Sequence, residues 1–257
     1  MKQASFLKKN KFLLIELVKK GIKLKYRRSY LGILWSLIEP LLSTMVLVIV
    51  FGTLFNNKTQ TYPLYIIIGR LFFSFFQEGS RSAMTSIRHN AGMIKKVYIP
   101  KYLYPLSSTI YSYIIFLIST IVLIGVDIFC KVVPGIRILW LIPALLMIFM
   151  LTLTCGTWLC SLNVFFRDIE YIWNVLCMIL MYMSAIFYYP EKILSSNFAW
   201  VLNINPIYHI INLARNAILN QPVKAIEIWY PCAFIAVFFS LGNLFFYKLK
   251  DKFVFKL

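Results

Sequence analysis

The chain has 257 residues, of which 60% are hydrophobic and only 14% charged, and its net charge is +18. A soluble domain has a far more charged surface, whereas several apolar runs here reach the ~20 residues that a helix needs to cross a bilayer core. Unbroken runs such as "IIFLISTIVLIGV" also exclude a transmembrane barrel, whose ~10-residue strands alternate in polarity. The fold class expected is an all-α integral membrane protein. Its positive charge flanks the apolar runs, which suits lipid headgroups and orientation and argues against nucleic acid.

In chain order, residues 1–30 come first. "KFLLIELVKKGIKLKY" puts Leu14, Leu17, Val18, Gly21 and Ile22 on one helical face, with Glu16, Lys19, Lys20 and Lys23 on the other. That is the pattern of a basic amphipathic helix lying in the membrane interface. Six apolar spans follow, at 31–55, 62–80, 102–126, 138–162, 171–189 and 228–247, and a basic tail occupies 248–257. No repeat or linker divides 31–247, so one membrane domain is expected. Between the second and third spans, "SIRHNAGMIKKVYIPKY" is basic and broken by Pro100, which suits a small cytoplasmic helix. Residues 190–227 are long for a loop and should contain structure. Within them Asn205 and Pro206 form a helix start, a cap followed by proline at the first helical position. Ile207, Ile210, Ile211 and Ile218 then give "PIYHIINLARNAIL" an apolar face, as in an interfacial or re-entrant helix at the outer surface.

Cations set the orientation. Ten Lys/Arg precede residue 31, five lie in 81–101, one is Arg167 and four follow Tyr247. The opposite loops hold Lys58, Lys131, Arg137, Lys192, Arg215 and Lys224. A cation excess marks the cytoplasmic face, so both termini are expected inside the cell. Arg27 and Arg28 would stop the chain at the inner headgroups while Leu31 enters the lipid.

Catalytic chemistry is sparse. The five cysteines are scattered, with no C-x-x-C, and read as small buried hydrophobes. His89 and His209 fall on opposite sides of the bilayer. Asp168 and Glu170 are two apart, so on a helix they face different ways and cannot readily share a metal; they read as a charged helix–loop junction beside Arg167. No G-x-x-x-x-G-K-[ST] occurs, so ATP should not bind here through a P-loop. Two charges lie deep within spans. Glu39 is about 12 Å from the inner boundary and Arg70 about 12 Å from the outer one, at 1.5 Å per residue. In a core about 30 Å thick their depths differ by about 6 Å. Either they pair or line a wet cavity, because lone charges in lipid are costly, or Arg70 snorkels outward while Glu39 sits near the inner rim or is protonated. The cluster "MYMSAIFYYP" places Tyr182, Phe187, Tyr188 and Tyr189 at the outer end of the fifth span. Such rings anchor a chain at headgroup depth, and they can also stack on the C–H faces of sugars while their hydroxyls hydrogen-bond.

Five blocks in order now carry a resemblance over nearly the whole chain: "KYRRSYLGILWSLIEPLLSTMVLVIVFGTLF", "HNAGMIKKVYIPKYLYPLS", "LNVFFRDIEYIW", "IFYYPEKI" and "NPIYHIINLAR". The sequence resembles the ABC-2 type polysaccharide export permeases, the family of O-antigen, teichoic-acid and capsule exporters. The resemblance implies a homodimer of six-span subunits in the cytoplasmic membrane, docked on two copies of a separate ATP-binding subunit that holds ATP and Mg. It implies no cofactor and no catalysis in this chain. The amphipathic start would be a gate helix, and Asn90, Ala91, Gly92, Met93, Ile94, Lys95 and Lys96 would form the coupling helix that meets the ATPase. Extracytoplasmic re-entrant helices would close the exit. The cargo implied is a glycan linked to undecaprenyl diphosphate, and Lys25, Arg27 and Arg28 would meet its phosphates, since Arg suits phosphate well. The alternatives are an ABC-2 permease for a drug or lipid, or a membrane phosphosugar transferase, which would need a polar catalytic cluster and would act without a partner.

Overall fold

The computed structural model describes residues 2–27, 29–55, 59–96, 99–133, 135–249 and 253, with side chains except at 2–9, 192 and 249. Among the described residues every regular element is helical. Helix α1 (Lys2–Tyr26) leads through a 3-10 turn at Gly32–Leu34 into α2 (Trp35–Leu54). Then come α3 (Tyr62–His89), the single-turn α4 (Ala91–Ile94) and α5 (Leu103–Phe129). A 3-10 turn at Ile136–Trp140 opens α6 (Leu141–Phe165), followed by α7 (Ile169–Tyr182), the short α8 (Glu191–Leu194) and α9 (Ala199–Asn203), α10 (Pro206–Ile218) and α11 (Ile226–Leu249).

Among the described residues four helical stretches are long and apolar enough to cross a membrane: Gly32–Leu54, Leu103–Phe129, Ile136–Phe165 and Ile226–Lys248. The second and fifth predicted spans differ. Helix α3 carries Arg70, Glu78, Arg81 and Arg88 along its length, yet it is the axis of the bundle, packed against α2, α5, α6, α7 and α10. Its first half is buried on nearly every side, from Leu64 through Phe76. Small residues bring α6 close: a Cβ on Gly156 would lie 2.6 Å from Ala83 Cβ, the close approach by which membrane helices gain van der Waals contact. Helix α7 stops at Tyr182, after 14 residues, or about 21 Å at 1.5 Å per residue. The chain then turns through Ala185, whose φ of 47° is left-handed, instead of continuing to residue 189.

The amphipathic reading of α1 holds in register, but the apolar face is covered by protein. Val18 is buried, and Leu13, Leu14 and Leu17 pack into the cluster at the base of the bundle. Gly21 abuts α5, since a Cβ there would stand 2.6 Å from the Tyr111 ring. In α2, Pro40 has no N–H to bond the Ser36 carbonyl four residues back. The Ser119 hydroxyl of α5 donates to that carbonyl at 2.8 Å, so the gap in one helix becomes a tie between two. The start predicted for α10 is formed as expected: the Asn205 side chain accepts from the Ile207 N–H at 3.0 Å, and Ile207, Ile210, Ile211 and Ile218 are buried.

One end of the bundle, the terminal end, brings the middle of α1 together with Phe253, the last described residue. Ile87, Leu103, Val164, Phe246 and Phe253 form a cluster there, joined by Leu14, Met93 and Phe165. This terminal end therefore collects α1, α4, the close of α3, α6 and α11, and the start of α5. The opposite, far end holds residues 183–219.

Candidate functional site

A cavity of about 330 Å³ opens between the end of α1, α2, α3 and α5. Three polar stripes converge on it: Ser36, Glu39 and Ser43 on α2, Arg70, Ser74 and Glu78 on α3, and Ser112 and Ser119 on α5. The spacings of three, four and seven residues put each set on one helical face. Lys25, Tyr26 and Ser29 close the cavity toward the terminal end, and Trp35, Phe75 and Phe116 supply apolar wall. Glu39 and Arg70 both line it but form no ion pair or hydrogen bond with each other; the two intramembrane charges share a polar chamber. The ion pair present is Lys25 with Glu78. Burial alone lowers the pKa of the Lys25 ammonium, but the hydrogen bond and charge of Glu78 outweigh it, and the net shift is upward. Glu78 was missed in the sequence because it falls two residues from the close of the predicted 62–80 span. The repeat Arg70, Ser74, Glu78 was the available signal.

Of the other predicted gate residues, Arg27 is exposed and Arg28 lies outside the described residues. The segment from Asn90 to Lys96 is a single helical turn at the terminal end. Gly92, Lys95 and Lys96 are exposed, while Met93 and Ile94 pack into the basal cluster, and Ala91 is half-buried. Asn90 anchors the turn: its amide donates to Ser86 O at 2.8 Å and its carbonyl accepts Lys20 Nζ at 3.4 Å. Two residues before it, Arg88 pairs with Glu170, and Asn163 bridges both, accepting from Arg88 at 3.2 Å and donating to Glu170 at 3.2 Å. Glu170 thus joins the close of α3 to the first turn of α7. Asp168, at the start of α7, is exposed. Among the described residues no three His, Cys, Asp or Glu side chains gather into a group. The exposed His89 and the buried His209 lie at opposite ends, His209 Nε2 being 2.9 Å from Asn203 O.

At the far end the irregular segment after α7 is held by side chains. Tyr62 donates to Phe187 O at 2.7 Å, and Tyr65 lies 3.1 Å from both Ala185 O and Tyr188 O. Arg215 is 2% exposed. It donates to Tyr65 O at 3.2 Å, Ala185 O at 3.1 Å and Ile186 O at 3.3 Å, and its guanidinium lies 3.4 Å over the Tyr65 ring. Asn205 takes Met183 O at 3.2 Å. Non-helical backbone can persist at membrane depth only where protein satisfies its carbonyls in this way. Arg215, counted in the sequence as a loop cation, is the centre of that arrangement. The four aromatic residues of the fifth span separate accordingly. Phe187 is buried and stacks on Phe51 at 4.8 Å, and the Tyr188 hydroxyl is spent on Tyr182 O at 2.6 Å. Tyr182 and Tyr189 are exposed, with the Tyr189 ring 4.6 Å from that of Tyr65.

Comparison with known proteins agrees over the same length. The family model described as ABC-2 type transporter matches residues 13–219. An O-antigen export system permease protein, RfbA, of Klebsiella pneumoniae is 30% identical over 247 residues, covering 94% of this chain and 93% of the relative. The capsule polysaccharide export inner-membrane protein CtrC of Neisseria meningitidis serogroup A is 21% identical, covering 83% of this chain and 82% of its own length. The polysialic acid transport protein KpsM of Escherichia coli is 24% identical, covering 90% of each chain.

Proposed function

The chain belongs to the ABC-2 type transporter family, and from that premise we propose that it is the membrane permease subunit of an ATP-driven exporter of a cell-surface polysaccharide. The observation that carries this reading is its near full-length similarity to an O-antigen export permease. ATP and Mg²⁺ belong to a separate ATP-binding subunit, and two permeases assemble with two such subunits. The terminal end faces the cytoplasm, where the loop cations concentrate. Six passages then follow from four exposed spans together with α3 and α7. A helix as charged as α3 can cross inside a bundle because its neighbours, and not lipid, surround it. The segment from Met183 to the close of α10 forms the re-entrant part beneath the outer surface.

The cargo is a lipid-linked glycan such as an O-antigen, teichoic acid or capsular polymer. Lys25, Arg27 and Arg28 meet its diphosphate at the inner leaflet, and the exposed rings of Tyr182 and Tyr189 meet sugar at the far end. The turn from Asn90 to Lys96 docks on the ATPase. Its displacement reaches α7 through Arg88 and Glu170, which join α3 to α7. The test is co-expression with a partner ATP-binding subunit in cells that lack their own O-antigen permease. Surface glycan should return, and replacing residues 90–96 by a flexible linker of equal length should abolish both export and co-purification of the ATPase. Nucleotide hydrolysis by the purified chain alone, or full export with the replaced turn, would overturn the reading.

A further inference from the structure

The cavity between α1, α2, α3 and α5 contains more polar chemistry than packing requires. Lys25 and Glu78 pair with each other. Arg70 and Glu39 form no ion pair or hydrogen bond within the described residues, although both line the same space. The Ser112 hydroxyl is 5% exposed as a residue and has no hydrogen-bond partner at all. A buried polar atom without a partner costs free energy unless something outside the chain satisfies it. A half-buried five-donor guanidinium, an exposed carboxylate and a buried orphan hydroxyl thus line one chamber, and of the three the hydroxyl is the one left without a partner inside the bundle.

We propose that this cavity binds a single sugar ring, the one carried next to the diphosphate of the lipid-linked cargo; this deepens the proposed function and rests on it. Volume selects one ring. At about 330 Å³ the cavity is at the small end of the ~300–1,000 Å³ typical of ligand sites, which excludes a polymer threading through it. Charge keeps the diphosphate out. Two cations and two carboxylates line the space, so an additional anion inside would meet both Glu39 and Glu78, and the phosphates remain outside, toward the exposed Arg27. Hydrogen-bond capacity selects a polyol. Sugar hydroxyls each donate and accept, and they match Arg70 as donor, Glu39 as acceptor and the Ser112 hydroxyl as either. Trp35, exposed and lining the cavity, supplies aromatic surface for the sugar's C–H groups.

The experiment uses the full chain in lipid nanodiscs and compares two probes, undecaprenyl diphosphate and undecaprenyl diphosphate bearing one N-acetylglucosamine. The sugar-bearing carrier should bind about tenfold more tightly, the worth of about one hydrogen bond to a charged group. In Glu39→Gln and in Arg70→Gln the ratio of the two affinities should fall to about one. Ser112→Ala removes the orphan hydroxyl without stranding another group, so it should fold normally, and the ratio should fall about threefold, which is a fraction of one hydrogen bond. Equal affinity of the wild-type chain for both probes would overturn the sugar site while leaving the carrier-binding reading standing. A ratio that persists in all three variants would overturn it too. So would a sugar preference that disappears when phosphatidylethanolamine is added to the nanodisc, since a zwitterionic headgroup would then be the occupant. Binding of neither probe would overturn the lipid-linked cargo and this inference together.

Discussion

The two ends of the bundle hold charge in opposite ways. At the terminal end, Lys19 with Glu16, Lys25 with Glu78 and Arg88 with Glu170 are ion pairs whose partners are all at least 29% exposed. At the far end, Arg215 is 2% exposed and is held by backbone carbonyls and a tyrosine ring, with no carboxylate. Such accessible pairs contribute little and can part and re-form cheaply, the half-buried Arg88 and Glu170 least so. A buried guanidinium cannot leave without withdrawing its donors from three carbonyls. The difference teaches where motion is affordable. The terminal end, where α1 and α4 lie, can rearrange, whereas the far end keeps the shape of an irregular segment that lipid would not tolerate.

The largest effect should come from breaking the far end. Arg215→Met removes the hydrogen bonds donated to the carbonyls of Tyr65, Ala185 and Ile186, and at about 1 kcal/mol each the loss is roughly 3 kcal/mol. The melting temperature of the purified protein should fall steeply. Arg215→Lys should rescue little, because one ammonium cannot reproduce the planar fork. A melting curve unchanged by Arg215→Met would show that the carbonyls are not held from this residue.

Glu170→Gln comes next, at about 1–2 kcal/mol, because Arg88 and Asn163 lose a shared charged acceptor. Here the sharper measurement is coupling: ATP hydrolysis by the assembled exporter should continue while export falls. Equal loss of both would place Glu170 outside the route from α4 to α7. Lys25→Met and Glu78→Gln, combined in a double-mutant cycle, should show an interaction of about 0.5 kcal/mol that shrinks with added salt. An interaction of several kcal/mol would mean that α1 is locked and not latched. Smallest of all, Lys95→Ala with Lys96→Ala should shift stability by no more than about 0.5 kcal/mol, since both are exposed. Those two changes should nevertheless weaken capture of the ATP-binding subunit in a pull-down; unaltered capture would move the docking surface elsewhere.

Much of this was legible from residues. The start of α10 followed from Asn205 and Pro206, the register of α1 from Leu14, Val18 and Gly21, and a helical break near Pro100 from the proline itself. These signals are local, set by caps, missing N–H groups and helical period. Glu39 and Arg70 were recognisable as exceptional because charge in an apolar run is expensive wherever it sits. Their shared cavity was not, since it needs Ser112 and Ser119 from a helix some 40 positions away from Arg70. Arg215 was read as a loop cation because counting charges by segment cannot see depth. Phe187 was read with its aromatic neighbours because nothing in its flanks foretold the stack on Phe51.

Sequence by itself determined that this chain is a helical membrane protein, on which side its cations gather and to which family its blocks conform, because hydrophobic run length, charge placement and motif order are properties of the chain in one dimension. Only the tertiary structure decided that α7 ends at Tyr182, that α3 runs charged through the middle of the bundle, and that four charged side chains from three helices line one chamber. Those outcomes depend on which carbonyls and charges find partners from distant segments, and a buried polar group is settled by its neighbours in space.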